Sequence, residues 1–123
     1  MEDVALTPAK SPSRTVMMNS PYHKDIESGN MAYEQGRYQD AIDEWSTSIN
    51  LTTNNDGSDK DLLKLLYSNR SAAYSKLEQY SSALIDANKC VELDPHWLKG
   101  IVRKGDVLVT LSRYSEAQQT YQQ

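Results

Sequence analysis

The stretch SAAYSKLEQYSSALIDANKCVELDP, Ser71 to Pro95, decides the fold because it recurs. It aligns with GNMAYEQGRYQDAIDEWSTSINL (Gly29 to Leu51) and GDVLVTLSRYSEAQQTYQQ (Gly105 to Gln123). Tyr80 and Tyr114 lie 34 residues apart, as do Ala83 and Ala117. Tyr38 and Tyr80 lie 42 apart, as do Ala41 and Ala83, which is the same period plus 8. The polar stretch TNNDGSDKD, Thr53 to Asp61, has room for the surplus, and its Asp56-Gly57 is a turn signal. Units of this length, each a helix-turn-helix hairpin, bury their apolar faces only by stacking on one another.

The repeat has a physical logic. A small residue at its eighth position (Gly29, Ser71, Gly105) lets the first helix, A, approach the second, B, where Ala41, Ala83 and Ala117 offer a matching small face. Tyr38, Tyr80 and Tyr114 are expected to plug the turn, rings inward and hydroxyls toward solvent. Tyr33, Tyr67, Tyr74 and Trp45 recur at helical spacing and are assigned to the core, while Trp97 fits either an inter-repeat contact or a groove rim. Asp94-Pro95 reads as a helix start, with Asp capping and Pro as the first helical residue. The pattern predicts helices near 22–35, 38–51, 60–76, 80–93, 96–110 and 114–123.

Composition bounds the rest. Residues 1–21 hold three of the four prolines and no sustained period, and are expected to be a disordered leader. Thr7-Pro8, Ser11-Pro12 and Ser20-Pro21 have the form of proline-directed phosphorylation sites, although a solvated tail with incidental pairs explains them as well. A net charge of -4 argues against general nucleic-acid binding, which draws on many Lys and Arg contacts to phosphate. No apolar run approaches the ~18 residues of a membrane span, and no secretion signal is present, so a cytoplasmic protein without membrane contact is expected. The lone Cys90 calls for no oxidising compartment, and the sequons at Asn50 and Asn69 are expected to go unused. Cys90 with His96 lacks an orienting third group, and His23, Cys90 and His96 lack zinc spacing, so neither catalysis, a metal nor a cofactor is expected.

A 34-residue helix-turn-helix period resembles the tetratricopeptide repeat over residues 22–123. The resemblance implies an all-α fold: helix-turn-helix repeats stacked as a right-handed superhelical solenoid. Repeat 1 would cover about 22–55, the insertion about 54–61, repeat 2 about 64–97, and an incomplete repeat 3 about 98–123. In that register Gln123 is only the twenty-sixth position of repeat 3, so its last turn and a polar capping helix would lie in a longer protein.

Stacked hairpins of this kind curl into a groove lined by the A helices. Asn69 and Arg103, 34 residues apart, take equivalent positions on successive A helices. Lys99 lies one turn before Arg103, a like-charge pair that is either solvated or waiting for an anion, and Asn30 is expected to face them across the groove. Two cations and two amides converging in one concavity suit a carboxylate-rich peptide end. The segments Gly29-Asn30, LYSNRSAAYSK (Leu66 to Lys76) and KGIVR (Lys99 to Arg103) resemble the carboxylate clamp of co-chaperone tetratricopeptide domains, especially the heat-shock organising protein family. That family binds the C-terminal Glu-Glu-Val-Asp tails of the seventy- and ninety-kilodalton chaperones. The resemblance implies that Asn30, Asn69, Lys99 and Arg103 bind the terminal Asp carboxylates, with Lys76 and Ala72 meeting the peptide upstream. One family position departs: Ile26 stands where a clamp Lys is usual, an expected loss of about 1.5–3 kcal/mol in binding. The alternative is a tetratricopeptide scaffold recruiting another partner in transport, assembly or signalling.

Overall fold

The computed structural model describes residues 23–55 and 59–122. The expected leader with its Ser/Thr-Pro pairs, and the Asp56-Gly57 turn, lie outside the described residues. Six helices follow one another: α1 (His23–Glu34), α2 (Tyr38–Asn55), α3 (Lys60–Lys76), α4 (Tyr80–Leu93), α5 (Leu98–Thr110) and α6 (Tyr114–Tyr121). No strand occurs among the described residues. Each helix packs on the next, and α3 also touches α5, so the A helices α3 and α5 sit side by side as a solenoid requires.

Within each hairpin, the eighth position sets how close the helices come. Added to Gly29, a Cβ would lie 2.5 Å from Nε1 of the fully buried Trp45. At Gly105 a Cβ would collide with the Tyr121 ring. Repeat 2 solves the same contact the other way. Its B helix carries Ala87 where the others carry Trp45 and Tyr121, leaving room for Ser71, whose Oγ–H donates to the Ala83 carbonyl at 2.8 Å. A glycine pairs with a ring and a serine pairs with an alanine, so the packed volume is held while its two contributors trade size. Ala41, Ala83 and Ala117 are all buried as the small face required.

The A-to-B turns repeat as well. Gly36, Glu78 and Ser112 occupy equivalent positions, and all three have left-handed backbone, with φ of 79°, 60° and 62°. Paired bonds close each turn: Gly36 and Arg37 N–H donate to Tyr33 and Ala32 carbonyls, Glu78 and Gln79 to Ser75 and Tyr74, and Ser112 and Arg113 to Val109 and Leu108. These are the bonds of a Schellman-type C-cap, which satisfies the orphan carbonyls of the A helix.

Three sequence expectations are corrected. The surplus of 8 residues in the first spacing was assigned to a polar insertion from about 54 to 61, yet α2 runs on past its expected end at 51 to Asn55, while α3 starts at Lys60 as expected. The 18-residue α2 exceeds the 14-residue α4 by four, and the 17-residue α3 exceeds the 13-residue α5 by four. Polar composition did not stop α2 because Thr52 is buried and its Oγ1–H bonds back to the Ser48 carbonyl at 2.8 Å. Asp94-Pro95 does not start α5, which begins at Leu98. Asp94 closes α4 instead, its N–H bonded to the Cys90 carbonyl, and its carboxylate is taken by Lys64 Nζ at 2.6 Å and by the His96 N–H at 3.3 Å. Tyr114 is no plug: it is 63% exposed, whereas Tyr38 meets the Tyr33 ring edge-on at 5.2 Å and Tyr80 is half-buried beside the cavity it lines with Arg103 and Val107.

The core holds Trp45, Tyr33, Ile42, Ile49, Leu62 and Leu66, with Tyr67, Tyr74 and Trp97 packed against its edge. Trp97 is thus an inter-repeat contact, with Lys64 Nζ 5.0 Å above its ring centre. Arg70, which sequence reasoning passed over, ties two repeats together. Its guanidinium forks onto both Asp86 oxygens at 2.7 Å and donates to Ser46 Oγ at 2.9 Å, with the Tyr67 and Tyr74 rings within 6 Å. Burial pushes the Asp86 carboxyl up against the pull of Arg70. Burial alone would lower the guanidinium too, but the Asp86 carboxylate outweighs it and holds Arg70 charged.

Candidate functional site

A cavity of about 300 Å³ opens between α3 and α5. Ala72, Ser75 and Lys76 line it from α3, and Arg103, Asp106, Val107 and Thr110 from α5, with Tyr80 at the start of α4. The helix period explains the lining. Ala72 and Lys76 are one turn apart, as are Arg103 and Asp106, so each wall presents one stripe of its helix. The floor is apolar at Ala72 and Val107, both buried, and the rim is polar. Such a trough suits an extended peptide: a small apolar floor admits its backbone and charged rims hold its ends.

Three of the six residues expected at the site therefore meet in one cavity: Ala72, Lys76 and Arg103. Lys99 is exposed on α5, one turn before Arg103, and lies outside that lining. Asn30 and Asn69 are also outside it and are almost completely buried, at 2% and 1% exposure. They were expected as open amide donors on the groove wall. Trp45 Nε1–H donates to Asn30 Oδ1 at 3.3 Å, which holds that amide against the close-approach contact at Gly29. Among the described residues, Asn30 Nδ2 and both polar atoms of Asn69 have no hydrogen-bond partner. A buried amide left unmatched costs about 1–3 kcal/mol, a cost recovered when a ligand supplies the missing partner.

Ile26, the departure from the clamp pattern, is 0% exposed and belongs to the apolar core. The position is a packing site in this chain and offers no place on the groove surface for a cation. Restoring a lysine there would bury an ammonium, so it is not a clean test of binding.

The cavity also contains residues that sequence reasoning missed, above all Asp106. The signal was available. The 34-residue arithmetic that pairs Asn69 with Arg103 also pairs Ala72 with Asp106 and Lys76 with Thr110. Asp106 follows Gly105 as Asn30 follows Gly29, and its carboxylate is held in the same way: Tyr121 Oη–H donates to Asp106 Oδ1 at 2.6 Å, 15 residues on, just as Trp45 reaches Asn30 over 15. Burial and the Asp106 charge together push the Tyr121 hydroxyl up to about 12.

Cys90 is fully buried, its Sγ–H pointing at the Lys64 carbonyl at 3.4 Å, and burial pushes the thiol up to about 12. Among the described residues, no group of three or more His, Cys, Asp or Glu is placed to hold a metal ion, and no helix is long and apolar enough to cross a membrane.

Hairpins in a 34-residue period, close approaches set by Gly or Ser, and a trough between successive A helices define a helical repeat protein. Residues 22–95 match the sequence profile of the tetratricopeptide repeat, and the chain belongs to that family. It is 40% identical over 99 residues to the Hsp70-Hsp90 organizing protein of Triticum aestivum, covering 80% of this chain and 16% of that one. It is 36% identical over 95 residues to the heat shock protein STI1 of Saccharomyces cerevisiae, covering 77% of this chain and 15% of that one. The chain thus spans about a sixth of the length of these relatives. Its fold is similar to a solved structure, the second tetratricopeptide domain of Spaghetti (RPAP3) bound to the HSP90 peptide SRMEEVD. That likeness has a TM-score of 0.70 at 27% identity and covers 88% of this chain and 94% of that one.

Proposed function

We propose that this chain is a co-chaperone adaptor module that holds the acidic C-terminal tails of the seventy- and ninety-kilodalton heat-shock chaperones. The observation that carries the reading is the trough between α3 and α5, where Arg103 and Lys76, from successive repeats, flank the small floor residue Ala72. The similar domain of Spaghetti carries an HSP90 peptide ending in Glu-Glu-Val-Asp, and the Hsp70-Hsp90 organizing protein of wheat and heat shock protein STI1 of yeast are similar in sequence over most of this chain. In this reading Arg103 forks onto the terminal carboxylates, Lys99 adds charge from the turn before it, and Asn30 and Asn69 supply the donors they now leave unmatched. Lys76 and Ala72 meet the peptide upstream.

The reading places no chemistry in the segment. Cys90, buried and held as the neutral thiol, is poorly suited to act as a nucleophile, which favours a binding role. A cytoplasmic site of action belongs to the same reading. Its support is a lone buried cysteine and, among the described helices, none able to span a bilayer.

The test is a titration of a labelled SRMEEVD peptide as the free acid and as the C-terminal amide. The free acid should bind and weaken steeply with salt, and the amide should not bind. Arg103→Ala should cost about 1.5–3 kcal/mol, roughly ten- to a hundredfold in Kd. Equal binding of acid and amide would return the chain to the broader class of tetratricopeptide scaffolds.

A further inference from the structure

The trough is not uniformly basic. On its α5 wall, one turn beyond Arg103, stands the carboxylate of Asp106, exposed to the cavity and pinned by the Tyr121 hydroxyl at 2.6 Å. The equivalent positions in the other repeats are Asn30 and Ala72, so the third repeat alone places a negative charge there. Tyr121 fixes the carboxylate by packing its ring against Gly105, whose missing side chain makes the contact possible. Across the trough, the α3 wall carries Lys76 and no acid.

We infer that Asp106 is a specificity-determining residue, which makes the groove prefer a basic or hydrogen-bond-donating side chain over an acidic one about two residues before the peptide's C-terminus. The inference rests on the proposed peptide-binding function and refines it. A terminal carboxylate held between Lys99 and Arg103 sits about 7 Å along the helix axis before Asp106, at about 1.5 Å per residue. An extended peptide advances about 3.3 Å per residue, so the side chain facing Asp106 belongs to the second residue upstream. Successive side chains of an extended strand point to opposite walls. The flanking positions then face Lys76 and the α3 side, where an acidic residue is welcome. The groove thus reads charge in alternation, and a run of consecutive acids matches one wall and opposes the other. Like charges facing across a few ångströms repel, and a donor such as Lys or Gln would share the carboxylate with Tyr121.

The experiment uses three labelled free-acid peptides, SRMEEVD, SRMEQVD and SRMEKVD, against wild type and Asp106→Asn. The asparagine keeps an acceptor for Tyr121 and removes only the charge. Wild type should bind the Lys peptide roughly two- to fivefold more tightly than the Glu peptide, with Gln between. Asp106→Asn should bring that ratio close to one, chiefly by improving the Glu peptide. The same ratio in both proteins, or tighter binding of the Glu peptide to wild type, would overturn the inference and leave the proposed function standing. Failure of all three peptides to bind either protein would overturn both.

Discussion

A methyl group on Gly29 would press on Trp45 Nε1, the same atom that bonds Asn30, so one residue controls both the helix approach and the orientation of a proposed ligand contact. Gly29→Ala should destabilise the chain by about 1–3 kcal/mol, the usual range for overpacking a dense core, read as a lower midpoint in urea unfolding. The second repeat suggests the remedy. Combining Gly29→Ser with Trp45→Ala reproduces the Ser71–Ala87 pairing, so the double variant should be more stable than the sum of the two single changes implies, which a double-mutant cycle measures. Cys90 allows a simpler check. With its thiol buried and pushed up to about 12, it remains protonated at neutral pH, and alkylation by iodoacetamide should be slow until urea unfolds the chain. Rapid labelling of the native protein would contradict both its packing and the assignment of a binding role.

At the scale of elements, the A-to-B turns place three equivalent residues in left-handed backbone, and only the first is a glycine. The left-handed conformation costs a residue with a Cβ about 1–2 kcal/mol, part of which glycine returns through its freer unfolded chain. Glu78→Gly should therefore raise thermal stability, by roughly 0.5–1 kcal/mol at the midpoint, without touching the groove; a lowered Tm would show that the Glu78 side chain contributes more than its backbone costs. Helix existence was fully legible in the sequence, and for α3 and α4 the expected bounds of 60–76 and 80–93 match the structure, because the alanines, tyrosines and small residues keep strict period there. The misreadings occurred where local polarity was taken as a stop signal. Thr52 to Asn55 continue α2 because tertiary packing buries Thr52, and Asp94 spends its carboxylate on Lys64 rather than on a helix start. Of the expected site, Arg103 was reached by repeat arithmetic and Lys76 and Ala72 by the family resemblance, and these three line one trough. Asp106 escaped notice because a lone acid in an acidic chain reads as solvated surface. The burial of Asn30, Asn69 and Ile26 depends on which side of each A helix faces its neighbours, and spacing alone does not record that.

Across the whole molecule, ion pairs concentrate in the second repeat, where they fasten α3 to α4 and to the turn that follows it. Lys64 reaches from α3 to Asp94 after α4, and its hydrogen bond holds the Asp94 carboxyl below its ordinary value of 3.8 while Asp94 in turn raises Lys64. A carboxyl with a lowered native pKa stabilises the fold at pH above its unfolded value and loses that contribution as pH falls through the native one. The stability gap between wild type and Asp94→Asn should be constant from pH 5 to 7 and close below about pH 4, measured by urea denaturation across that range; a gap that persists at pH 2 would assign the effect to the lost turn geometry instead. The paired lengthening of α2 and α3 acts on the same scale. Four added residues are about 6 Å of helix on each, carried at the edge of the stack where the first repeat meets the second. A dye on the exposed Asn54 would ride on that overhang, on a B helix away from the trough. Paired with a second dye on the exposed Gln118 of α6, it would turn any flexing of the stack upon peptide capture into a change of distance.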